Sequence, residues 1–333
     1  MIESLSLRNF KVLRNVNVKL RPLTLVVGPN GSGKSSILLA LNYAGYRIVK
    51  GRQGAMFTIV PEDSAVLTSR MPEGPLKIEI SGAFKGERFS LGMESSEVIP
   101  MPRVRIFEFP DSALVRPVIL DIDLKKLAAP AYIREILDTL PSDGTGLSWF
   151  LSGLQLEFPE LFGSIVDRLR EVVPSVQGLR LKRTALESGD IGYELLFDMK
   201  GGSGIPAYAV SEGTLVTLAL LTVLASPKAP QLILVDNLER GLHPKALGDL
   251  ISQIRSLQKQ NPELQIVATS HSPYLLDYLE AEEILLTSLD EDGYASVKAL
   301  SEHPDYERWK DVMAPGEFWS TVGESWVVQK ASR

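Results

Sequence analysis

Apolar residues recur along the chain with two different spacings, and each spacing predicts a different kind of element. Near the N-terminus, Val16, Val18 and Leu20 alternate with polar residues, which predicts a strand with one buried face. Residues 23–27 form a continuous apolar run, which is typical of a strand buried in a mostly parallel sheet. Over 35–46 the apolar residues return at helical spacing, so this part of the chain predicts strands, a turn and then a helix.

The middle of the chain predicts a β region followed by a helical one. Residues 76–94 alternate with period two, which predicts a hairpin or small antiparallel sheet, and 103–122 predicts further strands. Amphipathic helical faces then follow at 133–140, 147–154 and 161–172. Strands return over 179–209, where glycine-rich turns interrupt them.

The last third alternates helix and strand. Helices are predicted at 212–225, 244–260 and 273–279. Buried strands are predicted at 231–235, at 264–269 and, as a last pair, near 283–300. Because 1–50 and 205–300 both have an α/β pattern, we expect them to share one mixed, mostly parallel sheet.

The predicted fold class is therefore α/β, with an antiparallel β subdomain and a short helical lobe inserted into the chain. We expect one globular unit over 1–333, since no linker of Pro and Ser interrupts it. Its parts are an N-terminal part at 1–122, an insertion at 123–210 and a C-terminal part at 211–333.

Composition narrows the functional classes. The 333 residues are 44% hydrophobic and 23% charged, which is ordinary for a globular protein, and the net charge of −6 attracts neither nucleic acid nor an anionic membrane globally. Cysteine is absent, which excludes disulfides, thiolate catalysis and cysteine–zinc sites and fits a cytoplasmic protein. No run is long enough to predict a membrane span.

A glycine-rich segment follows the apolar strand at 23–27 and opens the next helix. It matches the phosphate-binding pattern G-x-x-x-x-G-K-[ST] in full, as Gly28-Pro29-Asn30-Gly31-Ser32-Gly33-Lys34-Ser35. Its backbone N–H groups and the helix N-terminus would bind phosphate oxygens, Lys34 would neutralise the β- and γ-phosphates, and Ser35 would ligate Mg²⁺. A plain glycine-rich turn is the alternative, but the strand before and the helix after favour nucleotide binding.

Three further segments place polar residues at the ends of predicted elements. Asp236 ends a buried strand, where it either caps a turn or holds Mg²⁺ through its water shell. His271 follows the next strand and is either structural or close enough to reach the γ-phosphate or the attacking water. Ser211 precedes a helix, and the segment Ser211–Gly213 is either an ordinary cap or a second anion-binding helix end.

Together these motifs resemble the ABC-type ATPases of the RecF/SMC-like group, within the bacterial "AAA family ATPases" and related to the ATPase part of OLD-type proteins. The glycine-rich loop is similar to Walker A and 232–236 to Walker B, and 211–215 resembles the signature motif. The remaining similar stretches are the turn at 9–11, the segment at 239–244, the "THSP" motif at 269–273, and 143–147 and 316–319. The resemblance implies a P-loop ATPase head whose helical lobe lies between Walker A and the signature motif.

The resemblance also implies a site and a mechanism. ATP and Mg²⁺ would be bound by Walker A, with nucleotide contacts from Phe10, Lys11, Asn30, Gly31, Ser32, Gly33, Lys34, Ser35 and Ser36 and with Ser35 and Asp236 on the metal. Two copies would form a head-to-tail homodimer in which Ser211 and Gly213 act on the ATP of the partner copy. A glutamine loop is not evident, and Gln53 is its weak candidate.

One position departs from the family pattern. The residue after Asp236 is Asn237, where the family usually has a catalytic glutamate. An amide can orient a water molecule but cannot accept its proton. Hydrolysis is therefore slow, or Glu239 or His271 replaces the missing base, or ATP binding alone is the switch. We favour slow hydrolysis.

The leading function is that of an ATP-gated ATPase in DNA maintenance, including DNA repair, or in anti-phage defence, with a nuclease or toxin as partner effector. The alternatives are a nucleotide-dependent sensor or scaffold, and an ABC transporter subunit, which the motif variants disfavour. Long heptad arms and a fused Toprim nuclease are not expected. The basic residues of 168–183 form either a DNA-phosphate patch or a solvated charged face, and they are Arg168, Arg170, Arg180, Lys182 and Arg183.

Overall fold

The computed structural model describes most of the chain in ten ranges. They are 1–51, 76–84, 87–95, 103–107, 117–120, 123–131, 140–141, 143–186, 188–226 and 231–328. Gln53 lies outside the described residues, as does the helical face predicted over 133–140 apart from Leu140. The strands predicted over 103–122 are described only at 103–107 and 117–120.

The chain divides into two compact units. The first, which we call the P-loop unit, comprises Met1–Ile119, Gln231–Leu238 and Pro262–Arg333. The second, the signature unit, comprises Leu120–Pro230 and Glu239–Asn261. This division differs from the single unit and three consecutive parts that the sequence suggested, because the segment at 239–261 groups with the insertion.

The P-loop unit is built on a six-stranded sheet with the order β14-β13-β3-β12-β11-β7. Its strands are β3 (Leu23–Val27), β7 (Pro117–Leu120), β11 (Leu232–Val235), β12 (Gln265–Ser270), β13 (Ile284–Leu289) and β14 (Ala295–Ala299). Strands β11, β12, β3 and β13 run parallel to one another, and β14 pairs antiparallel with β13. All residues of β3, β11 and β12 are buried, which explains why apolar residues dominate these strands.

A second sheet of the P-loop unit has five strands in the order β2-β1-β4-β5-β6, all antiparallel. They are β1 (Ile2–Phe10), β2 (Leu13–Lys19), β4 (Leu76–Phe84), β5 (Glu87–Ser95) and β6 (Arg103–Phe107). Helix α1 (Lys34–Gly51) shares a hydrophobic core with both sheets, through residues such as Ile37 and Leu41. The predicted mixed sheet and antiparallel β subdomain are thus confirmed.

The signature unit combines helices with a three-stranded antiparallel sheet of order β10-β9-β8. Its strands are β8 (Val176–Ala185), β9 (Ile191–Met199) and β10 (Gly202–Pro206). Its helices are α2 (Leu124–Ala128), α3 (Leu147–Glu157), α4 (Pro159–Val172), α5 (Glu212–Ala225) and α6 (Pro244–Gln260). Helix α4 contacts both α5 and α6, and α5 is buried from Gly213 to Leu224, which accounts for its apolar residues on every face.

Three short helices of the P-loop unit follow the strands of the main sheet. They are α7 (Pro273–Leu276), α8 (Tyr306–Trp309) and α9 (Pro315–Val322). Helix α7 ends earlier than the predicted 273–279, since Asp277 already has its C-cap position. In the part of the chain that the structure describes, no helix is long and apolar enough to cross a membrane.

Candidate nucleotide-binding site

The loop between β3 and α1 adopts a backbone that requires glycine. Gly28, Gly31 and Gly33 have φ angles of 146°, 76° and 96°, in the left-handed region that side chains disfavour. At Gly28 a Cβ atom would lie 2.3 Å from the carbonyl oxygen of Thr287. The glycine therefore lets the loop lie directly on β13.

Two buried hydroxyl groups, that of Ser32 in the loop and that of Thr287 in β13, fix the loop against the sheet. Ser32 Oγ donates to the carbonyl oxygen of Pro29 at 2.7 Å and is hydrogen-bonded to Thr287 Oγ1. Thr287 Oγ1 also lies 3.1 Å from the carbonyl oxygen of Val27, which is a second acceptor for its single hydroxyl hydrogen. In this structure the side chain of Ser32 stabilises the loop, so the predicted phosphate contact of Ser32 would come from its backbone N–H. Thr287 was not predicted as part of the site, because its sequence signal is only that of a hydroxyl residue inside an apolar strand.

Lys34 lies inside the curve of the loop. Its Nζ donates to the carbonyl oxygens of Gly28 at 2.9 Å and Pro29 at 2.8 Å, and the residue is buried. Asn30 and Gly31 at the tip are exposed, and Ser36 in the first turn of α1 is half-buried. A buried cation surrounded by a curled backbone fits the phosphates of a nucleotide.

Two side chains that could supply oxygen ligands to a metal ion lie next to each other beside the loop. Ser35 Oγ lies 3.1 Å from Asp236 Oδ2, and Thr269 Oγ1 donates to the other carboxylate oxygen. A hydroxyl and a carboxylate this close can share one Mg²⁺ ion, which prefers oxygen ligands and retains several waters. Among the described residues no group of three or more His, Asp or Glu side chains is arranged to hold a metal ion, as a cage for a structural ion would require.

Asn237 and His271 follow neighbouring strands at the same edge of the sheet. Asn237 is exposed and has a φ of 57°, a left-handed value that asparagine tolerates better than most residues. Its backbone N–H donates to Thr269 Oγ1 at 2.9 Å, so Thr269 fixes both Asp236 and the turn after it. His271 is also exposed and follows Ser270, which is paired with Val27 just before the glycine-rich loop.

The turn between β1 and β2 lies against the glycine-rich loop. A Cβ atom at Gly33 would be 3.0 Å from side-chain atoms of Val12 and Leu13. Phe10 is fully buried in the hydrophobic core, while Lys11 is half-buried with a φ of 51°. Any nucleotide contact from Phe10 would therefore come from its backbone.

The predicted signature segment begins α5 in the other unit. Ser211 is the exposed N-cap, and its Oγ accepts from the N–H of Thr214 at 3.3 Å and pairs with Thr214 Oγ1 at 2.7 Å. A Cβ atom at Gly213 would lie 2.1 Å from the carbonyl oxygen of Gly241, so the glycine allows the turn at 239–242 to lie on the helix start. Glu212 and Arg240 form an ion pair across this contact.

The candidate catalytic residues are divided between the units. Asn237 and His271 belong to the P-loop unit, together with the glycine-rich loop and Asp236. Glu239 belongs to the signature unit, in the turn that lies on Gly213. The candidate metal and phosphate residues thus belong to one unit, and Glu239 belongs to the other.

The basic residues of 168–183 are largely engaged by neighbouring side chains. Arg170 pairs with Asp167 at 2.8 Å, Arg180 with Asp198 at 2.6 Å and Lys182 with Glu194 at 3.8 Å. Arg168 donates to Gln253 Oε1 at 2.7 Å and to Ser256 Oγ at 3.3 Å. These partners favour a charged surface with internal ion pairs over a dedicated patch for DNA phosphates.

The segment at 143–147 has a structural role in the signature unit. Asp143 accepts from Lys126 Nζ at 2.8 Å and from the N–H of Thr145 at 3.0 Å. These hydrogen bonds, that of Lys126 first, lower the pKa of the Asp143 carboxyl to about 2. A Cβ atom at Gly144 would lie 2.7 Å from Leu127, so this turn fits closely over α2.

The fold and the phosphate loop together define the class of protein. Residues 1–81 match a family model described as "AAA ATPase domain". Residues 131–277 match one described as "AAA domain, putative AbiEii toxin, Type IV TA system". Both models describe AAA-type ATPase domains, so the chain is similar to this class of ATPase, in agreement with the resemblance of its motifs.

The chain is also similar in sequence to individual named proteins. The chain is 23% identical over 332 residues to Septu protein PtuA of Bacillus mycoides (strain KBAB4), covering 90% of this chain and 42% of the relative. It is 35% identical over 69 residues to Septu protein PtuA of Bacillus thuringiensis, covering 21% of this chain and 17% of the relative. It is 45% identical over 42 residues to the OLD nuclease of Thermus scotoductus (strain ATCC 700910 / SA-01), covering 13% of this chain and 8% of the relative. The chain thus spans less than half the length of these curated relatives.

Solved structures of SMC heads share the fold. The SMC head domain from Thermotoga maritima matches with a TM-score of 0.52 and 15% identity, covering 90% of this chain and 98% of that one. The Smc head domain from Pyrococcus furiosus, bound to the C-terminal domain of ScpA, matches with a TM-score of 0.58 and 14% identity, covering 93% and 99%. At this identity the likeness establishes the α/β P-loop head and nothing further.

Proposed function

We propose that the chain binds Mg·ATP at the loop 28–36 and hydrolyses it slowly. The observation that carries this proposal is the cluster of Ser35, Asp236 and Thr269 beside the glycine-rich loop. Magnesium, when bound there, would neutralise charge on the β- and γ-phosphates. Lys34 would exchange its carbonyl partners for phosphate oxygens, and the exposed N–H groups at 30–31 would bind the same phosphates.

The slow rate follows from the chemistry of the side chains at the strand ends. Asn237 can orient a water molecule through its amide, but it has no basic group to take the proton. His271 offers an imidazole at the same edge of the sheet, close to the level of Gly28 in the strand register. Loss of a general base typically reduces a rate by about 10² to 10⁴.

We further propose that ATP joins two copies head to tail. Ser211 is exposed at the N-terminus of α5, where its hydroxyl and the helix dipole can meet phosphate. The resemblance to SMC heads and RecF-like ATPases supports the proposal that this segment contacts the ATP of a second copy. In this arrangement each site is complete only when the partner contributes its Ser211 and Gly213.

The relatives support a role in anti-phage defence, with DNA maintenance as the wider class. Two of them are Septu proteins and one is an OLD nuclease, so we propose a nuclease or toxin effector as the partner. DNA remains a proposed ligand, although the ion pairs of 168–183 make that surface a poor candidate. A second candidate function is a sensor or scaffold with little hydrolysis, and Asn237 is the observation that favours it. No observation favours a transporter subunit.

The test of nucleotide binding uses Lys34→Ala with Lys259→Ala, an exposed lysine in the last turn of α6, as the matched control. Mg·ATP at about 100 times its dissociation constant stabilises a protein by about 2.7 kcal/mol, which differential scanning fluorimetry detects as a higher melting temperature. We expect this shift in the unmodified chain and in Lys259→Ala but not in Lys34→Ala. A full shift in Lys34→Ala would contradict the assigned site.

A further inference from the structure

The stretch Gly316–Trp319 has no role in the function proposed so far. It lies at the start of helix α9. Helix α9 packs on helix α7, which begins two residues after His271, and on the segment 273–277 that α7 and its C-cap residue form. A Cβ atom at Gly316 would be 2.0 Å from the carbonyl oxygen of Pro273 and 2.7 Å from Asp277 Oδ1. Because Gly316 has an ordinary φ angle, close approach alone requires a glycine here.

Asp277 also caps this helix from outside it. The N–H of Gly316 donates to Asp277 Oδ1 at 2.8 Å, while the N-cap residue Ala314 has no side chain to do so. A carboxylate at a helix N-terminus satisfies a free N–H group and interacts favourably with the helix dipole. The contact between α9 and the turn at 273–277 is therefore both steric and electrostatic.

The other side of α9 is fixed in an aromatic cluster. Phe318 is 1% exposed and makes edge-to-face contacts with His303, at 5.0 Å between ring centroids, and with Tyr306, at 5.3 Å. His303 makes a similar contact with Trp326 at 4.9 Å. Such contacts restrict rotation and sliding of the helix, so Gly316 has a defined position.

His271 consequently lies between two anchored points of the backbone. On one side, Ser270 is paired with Val27 in the sheet, and its Oγ accepts from the N–H of Ser272 at 2.9 Å. On the other side, Pro273 fixes its own φ angle and its carbonyl lies against Gly316. Displacement of α9 would move the second anchor and with it the backbone of His271.

We propose that α9 is a positioning element for His271, acting through the contact of Gly316 with Pro273 and Asp277. The proposal rests on the proposed function and adds to it that the imidazole of His271 acts on the γ-phosphate of bound ATP or on the attacking water. Gly316 and Asp277 are positioning residues, since neither has a place in the phosphate loop or at the metal ligands. Their effect is expected on turnover and not on nucleotide affinity.

The experiment is single-turnover ATP hydrolysis by Gly316→Ala and Asp277→Ala, each made alone and combined with His271→Ala. Gly163→Ala is the matched control, because a Cβ atom there meets nothing within 4 Å. A misplacement of about 1 Å can cost up to about 10²-fold in rate, so we expect each single variant to lose about 10-fold or more. We expect ATP binding to be unchanged in Gly316→Ala and in Asp277→Ala. We expect Asp277→Asn to retain most of the hydrolysis rate, because asparagine keeps an oxygen acceptor.

The double variants separate positioning from general damage. If α9 acts through His271, adding Gly316→Ala to His271→Ala lowers the rate no further than about 2-fold, because the two residues are coupled. Full activity in Gly316→Ala, or losses that multiply in the double variants, would overturn the proposal. Equal rates of ATP hydrolysis in the unmodified chain and in Lys34→Ala would instead contradict the proposed function.

Discussion

At the scale of single residues, the site combines groups that we propose bind phosphate and metal with one unusual neighbour. Lys34, Ser35 and Asp236 provide the charge and the oxygen ligands, and Thr269 fixes Asp236 in its orientation. Asn237 stands where a general base would be most useful, in a left-handed turn that its own backbone N–H ties to Thr269. The residue thus has the geometry for placing a water molecule but not the basicity for activating it.

Replacing Asn237 by a carboxylate should accelerate hydrolysis. Asn237→Glu supplies a general base, while Asn237→Gln has the same length and the same backbone strain without the charge. We expect single-turnover hydrolysis by the Glu variant to exceed that of the Gln variant by about 10² or more. Equal rates for the two variants, at equal ATP affinity, would show that proton abstraction at this position does not limit turnover.

The residues found from the sequence are those with a local pattern, and the missed ones have none. The glycine-rich loop and Asp236 are recognisable because strand, turn and helix follow one another within a short segment. Thr287 lies about 250 positions away from Ser32 in sequence, yet its hydroxyl holds the loop. The hydrogen bonds of the Thr269 hydroxyl to Asp236 and Asn237 also depend on the pairing of β11 with β12, which no local pattern reveals.

At the scale of elements, the strands and helices that carry the site follow from hydrophobic spacing alone. The predicted strands at 23–27, 231–235 and 264–269 are observed as β3, β11 and β12. The ends of elements were harder to predict, because tertiary contacts decide them. Helix α7 stops at Leu276, and Asp277 turns to α9 instead, a contact that involves residues about 40 positions apart.

Helix α5 contains a polar atom that the fold does not satisfy. Thr217 is fully buried, and its Oγ1 has no hydrogen-bond partner among the residues that the structure describes, whereas Thr222 on the same helix donates to the carbonyl oxygen of Leu218 at 2.7 Å. An unsatisfied buried hydroxyl costs about 1 to 3 kcal/mol. Such a group is a target for stabilising substitutions.

Thr217→Val should therefore stabilise the protein, because valine has nearly the same shape and no hydroxyl to bury. We expect the free energy of unfolding to rise by about 1 kcal/mol, measured by urea denaturation at constant slope. The matched substitution Thr222→Val removes a satisfied hydrogen bond and should give no gain. A lower midpoint for Thr217→Val than for the unmodified chain would contradict this account.

At the scale of the whole molecule, the motifs found in the sequence are divided between the two units. Walker A, Walker B and His271 belong to the P-loop unit, and Ser211, Gly213 and Glu239 belong to the signature unit. The sequence order could not predict this division, because 231–238 joins one unit and 239–261 the other. A composite site between two copies would unite the two sets of residues.

Ser211→Arg should separate ATP binding from association. The bulky cation would occupy the helix N-terminus that is proposed to cover the partner's phosphates, while the phosphate loop is unchanged. We expect an ATP-induced thermal shift as in the unmodified chain but no ATP-induced dimer, measured by light scattering coupled to gel filtration. Ser188→Arg, at an exposed position of the β8–β9 turn, is the control and should dimerise normally. An unimpaired dimer of Ser211→Arg would remove the proposed role in trans.

The position of Lys34 has a consequence for the energetics of ligand entry. Its ammonium group already sits on the carbonyl oxygens of Gly28 and Pro29, out of bulk water. Dehydration of this cation thus occurs when the polypeptide folds, and not when a polyanion arrives. The incoming phosphates would only replace neutral acceptors of the Lys34 ammonium group with charged ones, which form a stronger kind of hydrogen bond.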